Sequence, residues 1–209
     1  MNLPNKLTIS RFVMTALFVG SMAAGEEYET LHAPGRPAGW NFAYTAALIL
    51  FLAAAATDYL DGEIARRRGL VTNFGKLMDP LADKVMMAAG FICLLPLKAI
   101  PAWVVIVIIS REFLITGLRL LAASKGVVLQ SERLGKHKTL WQIVTVGFFL
   151  LMLSLMEFQR AGLDLRAQEW WWGIWHYGGW TLAGVALVLT IYSGLGYFLK
   201  HRDLIADEQ

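Results

Sequence analysis

Four aspartates fall in one short stretch, DYLDGEIARRRGLVTNFGKLMDPLAD, from Asp58 to Asp83. At about 100° per residue, Asp58, Asp61, Gly62 and Ala65 share an arc of roughly 100° on a helix. Gly75, Asp79 and Asp83 recur every four residues and share about 80° of a second helix. Two helices that each present two carboxylates can converge on one site. Like charges at close range cannot all stay ionised without cations between them. An all-oxygen donor set suits Mg²⁺, Mn²⁺ or Ca²⁺, whereas Zn²⁺ prefers His and Cys.

Apolar runs flank the stretch on both sides, Phe42 to Thr57 and Val85 to Leu97. Ionisable residues at the border of such segments are costly, and they mark function more often than decoration. Metal carboxylates beside a membrane suit a substrate that is phosphorylated at one end and greasy at the other. Two divalent ions can clamp a pyrophosphate and stabilise in-line displacement at phosphorus. Gly62 and Ala65 would let a ligand approach the backbone closely, and Arg66 can pair with phosphate. A second constellation follows on the fourth apolar segment. Arg111 and Arg119 are eight apart, two turns along and about 80° around a helix. With Lys136, Lys138 and His137 they form a basic set fit for a phosphate-bearing ligand, with Glu112 the nearby counter-charge.

Positioning these groups takes long apolar helices. The chain has 209 residues, 56% hydrophobic and 17% charged, with mean hydropathy +0.50. That composition predicts a single all-α integral membrane domain over 1–209. A net charge of +3 is too small to indicate nucleic acid. The lone Cys93 rules out an internal disulfide and reads as a small buried apolar residue. Residues 1–11 predict a short amphipathic interfacial helix. Six transmembrane spans follow, near Ile9–Ala24, 41–68, 75–97, 102–124, 140–156 and 180–199, with 200–209 a tail. The run after Arg11 has the outline of a cleavable signal sequence, but the later spans favour its retention as the first span. EWWWGIWHYGGW reads as an interfacial aromatic belt, in a loop with room for a short helix, and Gly194 and Gly196 as aids to helix packing.

Twelve of the nineteen lysines and arginines gather at one set of span ends. The positive-inside rule then places both termini and the aspartates on the cytoplasmic side. Helices two, three and four are each too polar for lipid at that end. They are expected to enclose a polar cytoplasmic cavity, with spans one, five and six outside.

The pattern Asp58-x2-Asp61-Gly62-x2-Ala65-Arg66-x8-Gly75-x3-Asp79-x3-Asp83 resembles the full signature of the CDP-alcohol phosphotransferase family. MNLPNKLTISR at the start, REFLITGLR from Arg111 and GKHKT from Gly135 resemble its phosphatidylglycerophosphate-forming branch. The resemblance implies CDP-diacylglycerol as donor, sn-glycerol 3-phosphate as acceptor, and Mg²⁺ or Mn²⁺, two ions per site. It implies metal binding by Asp58, Asp61, Asp79 and Asp83, with Asp83 also the base. The nucleotide would lie on Asp58, Asp61, Gly62, Ala65, Arg66, Gly75 and Asp79. Arg111, Arg119, Lys136 and Lys138 would take the acceptor phosphate. Asn5, Thr8, Arg11, Thr57 and Thr139 are cavity-lining candidates. A homodimer in the bacterial inner membrane, among membrane lipids, is implied as well. Inositol phosphate, serine or another phospholipid are rival acceptors. A divalent-cation transporter would be a different class, but a cation path has no use for Gly62, Ala65, Arg66 and Gly75 at these spacings; a prenyltransferase also uses Asp-rich helices, but its motifs are more clustered and lie on separated helix pairs.

Overall fold

The computed structural model describes the backbone of residues 3–31, 42–68, 73–124, 133–160 and 168–200. Side chains are described for residues 9–27, 42–57, 81–122, 137–159 and 170–200, with Met78 and Gly135. Every regular element among them is helical: α1 (Leu3–Leu31), α2 (Ala43–Arg68), α3 (Asn73–Ile92), α4 (Ala102–Ser124), α5 (Arg133–Arg160), α6 (Gln168–Gly173) and α7 (Gly179–Lys200). A π-helical turn, Ile174–Gly178, joins α6 to α7 without a break. His137–Gln159 and Trp170–Lys200 are long and apolar enough to cross a membrane, and Ala43–Thr57 is a shorter apolar stretch. In α4 the apolar run is interrupted by Arg111, Glu112 and Arg119.

The described surface is more apolar than that of a protein built for water, and several charged or polar groups lie inside. Trp103, Ile106, Phe113 and Leu114 on α4, and Val188, Tyr192, Leu195 and Leu199 on α7, are exposed. Arg11, Lys138, Gln142, Thr145, Glu157, Thr190 and Ser193 are buried. Large exposed apolar faces mark contact with something other than water, and a lipid solvent meets that requirement.

The core joins α1, α2, α3, α4 and α5 around Phe18, Phe51, Phe91, Ile108, Val146, Phe149 and Leu150. Helix α1 packs on α2 and α3, α5 on α2 and α7, and α7 on α4. Helices α1 and α5 are therefore inner helices, contrary to the expectation that spans one and five lie outside. The reason is in their inward faces, where Arg11, Lys138, Gln142 and Thr145 need polar company that lipid cannot give. At the far end of α5, Trp175 of the π turn stacks edge-on against Phe149, with ring centroids 4.9 Å apart. Gly179 fits there only because it lacks a side chain, since a Cβ would stand 2.4 Å from the Phe149 ring.

Four boundaries differ from those expected. The separate interfacial helix at 1–11 does not occur, because α1 runs unbroken from Leu3 to Leu31. Pro4 lies in its first turn, where a missing N–H costs nothing, and nothing after it breaks the helix. Its last turns also take up the acidic segment Gly25–Leu31 that reads as loop. Helix α3 stops at Ile92 rather than Leu97. Pro96 cannot donate into a continuing helix, and the chain turns through Lys98 at φ 52°. The fifth helix begins at Arg133, well before Leu140.

Helix α2 is capped from a distance. Phe42 and Ala43 offer no side-chain acceptor at its start. Glu157 of α5 supplies one instead, accepting from the Tyr44 and Thr45 amides at 2.7 and 2.8 Å. The Thr45 hydroxyl lies 2.8 Å from both Glu157 and Ser154. The carboxylate satisfies two N–H groups that a helix start leaves open, at the positive end of the helix dipole. We expect Glu157→Ala to lower stability by roughly 3 kcal/mol, because one buried and one half-buried donor lose a charged acceptor. Glu157→Gln, which keeps one acceptor oxygen, should lose less. Denaturation in detergent micelles measures both, and equal stability of all three proteins would refute the cap.

Candidate active site

The end of α3 nearest the aspartates carries Asp79 and Asp83 one turn apart, and the last turns of α2 carry Asp58 and Asp61. The helices are separated in sequence by residues 69–72 alone. The side chains of Asp58, Asp61, Gly62, Ala65, Arg66, Gly75 and Asp79 lie outside the described residues, as do those of Asn5, Thr8 and Lys136. Among the described residues no three His, Cys, Asp or Glu groups converge.

Asp83 lies within the described set. It lines a cavity of about 40 Å³ with Arg11, Phe51, Ala54, Ala55, Met86, Met87, Thr139 and Ile143. Three expected site residues thus meet from three helices: Arg11 on α1, Asp83 on α3 and Thr139 on α5. Arg11 is 2% exposed, so a full positive charge is held inside the bundle next to the cavity. Thr139 donates its hydroxyl to the Gly135 carbonyl at 3.2 Å, and Thr57 donates to Ala53 at 2.7 Å. Both keep an oxygen lone pair for another donor.

One residue along from Asp83, Lys84 donates to Glu112 at 2.7 Å. Lys138 donates to the other Glu112 oxygen, and Arg111 approaches that same oxygen at 3.3 Å. One carboxylate therefore gathers three cations from α3, α4 and α5. The surplus is positive, in a region mostly shielded from solvent, which suits an anion. Lys138 is the most deeply buried of the three, its side chain 3% exposed.

Arg111 and Arg119 continue from this cluster toward α7. Arg111 donates to the Ser193 hydroxyl at 3.1 Å. Arg119 reaches the Tyr197 hydroxyl at 3.4 Å, with its guanidinium carbon 5.5 Å from the Tyr197 ring centroid. His137 is exposed.

Sequence reasoning missed Lys84, Ser193 and Tyr197, and gave Glu112 only a passing part. A usable signal existed for two of them. Lys84 and Glu112 are ionisable residues inside apolar segments, which demand partners. Ser193 and Tyr197 carried none, since a serine and a tyrosine in a membrane helix are ordinary.

A carboxylate and buried cations beneath apolar helices are the parts of an enzyme for phosphorylated lipids. The family profile described as CDP-alcohol phosphatidyltransferase matches residues 1–192; the chain belongs to that family and is a phosphatidyltransferase of phospholipid biosynthesis. Among its relatives is the CDP-diacylglycerol–glycerol-3-phosphate 3-phosphatidyltransferase of Bacillus subtilis (strain 168). That protein is 41% identical over 204 residues, covering 98% of this chain and 97% of the relative. The probable phosphatidylglycerophosphate synthase of Mycobacterium tuberculosis (strain H37Rv) is 33% identical, covering 97% and 83%. The CDP-diacylglycerol–glycerol-3-phosphate 3-phosphatidyltransferase of Rickettsia felis is 31% identical, covering 94% and 93%.

Proposed function

We propose that this chain transfers the phosphatidyl group of CDP-diacylglycerol to sn-glycerol 3-phosphate, giving phosphatidylglycerophosphate and CMP. The names of relatives matched over nearly their whole length support the reaction. The observation that carries the chemistry is Asp83, lining a cavity with Arg11 and Thr139 beside a cationic cluster. In this reading the chain is one domain of six spans, a homodimer in the bacterial inner membrane. Its termini and active site face the cytoplasm, and a polar cavity opens there among the cytoplasmic ends of the helices.

Asp58, Asp61, Asp79 and Asp83 would hold the divalent metal, two ions of Mg²⁺ or Mn²⁺. Their all-oxygen donor set fits such hard cations. Bound there, the metal neutralises pyrophosphate charge and stabilises in-line displacement at phosphorus. The chain's own residues do the rest. Gly62, Ala65, Arg66 and Gly75 seat the cytidine diphosphate. Arg111, Arg119, Lys136 and Lys138 hold the acceptor phosphate. Asp83 takes the proton of the acceptor hydroxyl as its oxygen bonds to the phosphatidyl phosphorus. The bond from that phosphorus to the CMP oxygen breaks, and CMP leaves with the electron pair. Asn5 and Thr8 would complete the lining with Arg11 and Thr139 and limit access of competing water, whereas Thr57 is not among the residues that line the cavity.

The test is CMP release from CDP-diacylglycerol by purified protein in detergent with Mg²⁺ or Mn²⁺. Glycerol 3-phosphate, inositol phosphate, serine and no acceptor are compared. Release that requires glycerol 3-phosphate is the expected result. Release with another acceptor keeps the reaction type and removes the acceptor assignment. No release from folded, metal-supplied protein overturns the proposal.

A further inference from the structure

We propose that α7 is the positioning wall of the acceptor site, with Ser193, Gly194 and Tyr197 fixing the guanidinium groups of Arg111 and Arg119. This rests on the reading that those arginines hold the acceptor phosphate. An outer helix needs only apolar contacts, and most of α7 has them. Where it meets α4 it carries a polar seam instead. Ser193 donates its hydroxyl to the Thr190 carbonyl at 3.2 Å, which turns its lone pair to receive Arg111 Nη2 at 3.1 Å. Thr190 is itself held, donating to Ala186 and accepting from Gln142 of α5 at 3.1 Å. The stem of Arg111 lies across Gly194, where a Cβ would meet Arg111 Cγ at 2.9 Å and Nε at 3.4 Å. One Arg111 nitrogen points to Glu112, another to Ser193, and the stem is bedded on glycine. Tyr197, 2% exposed, gives Arg119 both a hydroxyl acceptor and a ring face.

Long cationic side chains lose much rotamer freedom when held. A protein that holds two of them, a half-buried Arg111 and a more exposed Arg119, against buried polar groups of a neighbouring apolar helix therefore places charge, because packing alone is served as well by hydrocarbon. None of the three α7 residues need touch substrate. They act through the arginines, so their loss should weaken acceptor binding and leave the donor side alone.

The experiment measures kcat and both KM values for Ser193→Ala, Ser193→Thr, Tyr197→Phe, Tyr197→Leu and Arg111→Gln. The rise in unfolding temperature caused by glycerol 3-phosphate is recorded alongside. Losing one hydrogen bond to a positioned cation corresponds to about a three- to tenfold higher acceptor KM. We expect that change in Ser193→Ala, with the CDP-diacylglycerol KM within about twofold and Ser193→Thr restoring the parent value. Tyr197→Leu should exceed Tyr197→Phe, since it removes the ring face as well. The glycerol 3-phosphate temperature shift should shrink in the same order. If the variants lower stability or kcat alone, or move both KM values equally, α7 is structural and the inference fails. If Arg111→Gln raises the acceptor KM while the α7 variants do not, the inference fails and the acceptor pocket stands. If Arg111→Gln itself leaves the acceptor KM unchanged, the pocket assignment fails and takes the inference with it.

Discussion

Replacing Asp83 by Asn should lower CMP release by about a thousandfold or more while leaving the protein folded. The side chains match in size, so the cavity shared with Arg11 and Thr139 keeps its packing. What disappears is a carboxylate that can accept a proton, and general base catalysis contributes about 10²–10⁴-fold. The lost charge also withdraws one donor from the proposed metal set, which moves the effect toward the upper end. Asp83→Glu is the informative companion. It restores a carboxylate but displaces it by roughly the length of a methylene, and misplacement of about 1 Å costs on the order of 10²-fold. The expected order is therefore parent, then Glu, then Asn. Release is followed over time at saturating glycerol 3-phosphate, with thermal unfolding as the check on folding. An Asn variant that keeps a tenth of parent activity would rule out Asp83 as base.

The second large effect is on stability and belongs to Glu112. It is the counter-charge to Lys84, Lys138 and Arg111, and among the described residues no other carboxylate pairs with any of them. Glu112→Gln would leave three cations facing one another between helices. Removing one partner of a buried ionic group costs roughly 3–5 kcal/mol, because the remaining charge is stranded in a poor solvent. We expect a loss of that size in detergent-micelle denaturation. Lys138→Met should cost less, since Glu112 retains Lys84 and Arg111. The double variant Glu112→Gln with Lys138→Met removes one charge of each sign and should recover part of the single loss. Strictly additive costs would argue against a coupled cluster.

The helices were legible in the sequence because apolar runs and their polar ends are a one-dimensional signal. The same signal marked Asp83, Arg111 and Arg119, each a charge where hydrocarbon is expected. It failed at boundaries governed by single backbone events. Nothing in residues 1–31 announces that α1 continues through Gly25 and its acidic neighbours, and Pro96 signals an end to α3 without fixing it at Ile92. It also failed for long-range partners. Glu157 and Tyr44 are 113 positions apart, and Arg111 and Ser193 are 82 apart. No periodicity links such residues, so their pairing emerges only once α5 and α7 are folded beside their neighbours. The same blindness made α1 and α5 look peripheral, although Arg11 and Lys138 are among the most enclosed charges of the described residues.

The cap that Glu157 places on α2 has a mechanical consequence. It fastens α2 to α5 at the end remote from Asp83, while the opposite ends of the two helices carry Asp58 and Thr139. From Thr45 to Asp58 the helix rises about 20 Å. With one end pinned, the pair behaves like tweezers: parting the tips by about 1 Å needs a tilt of only ~3° over that length. A tilt of that size would part the jaws without unmaking a contact at the joint.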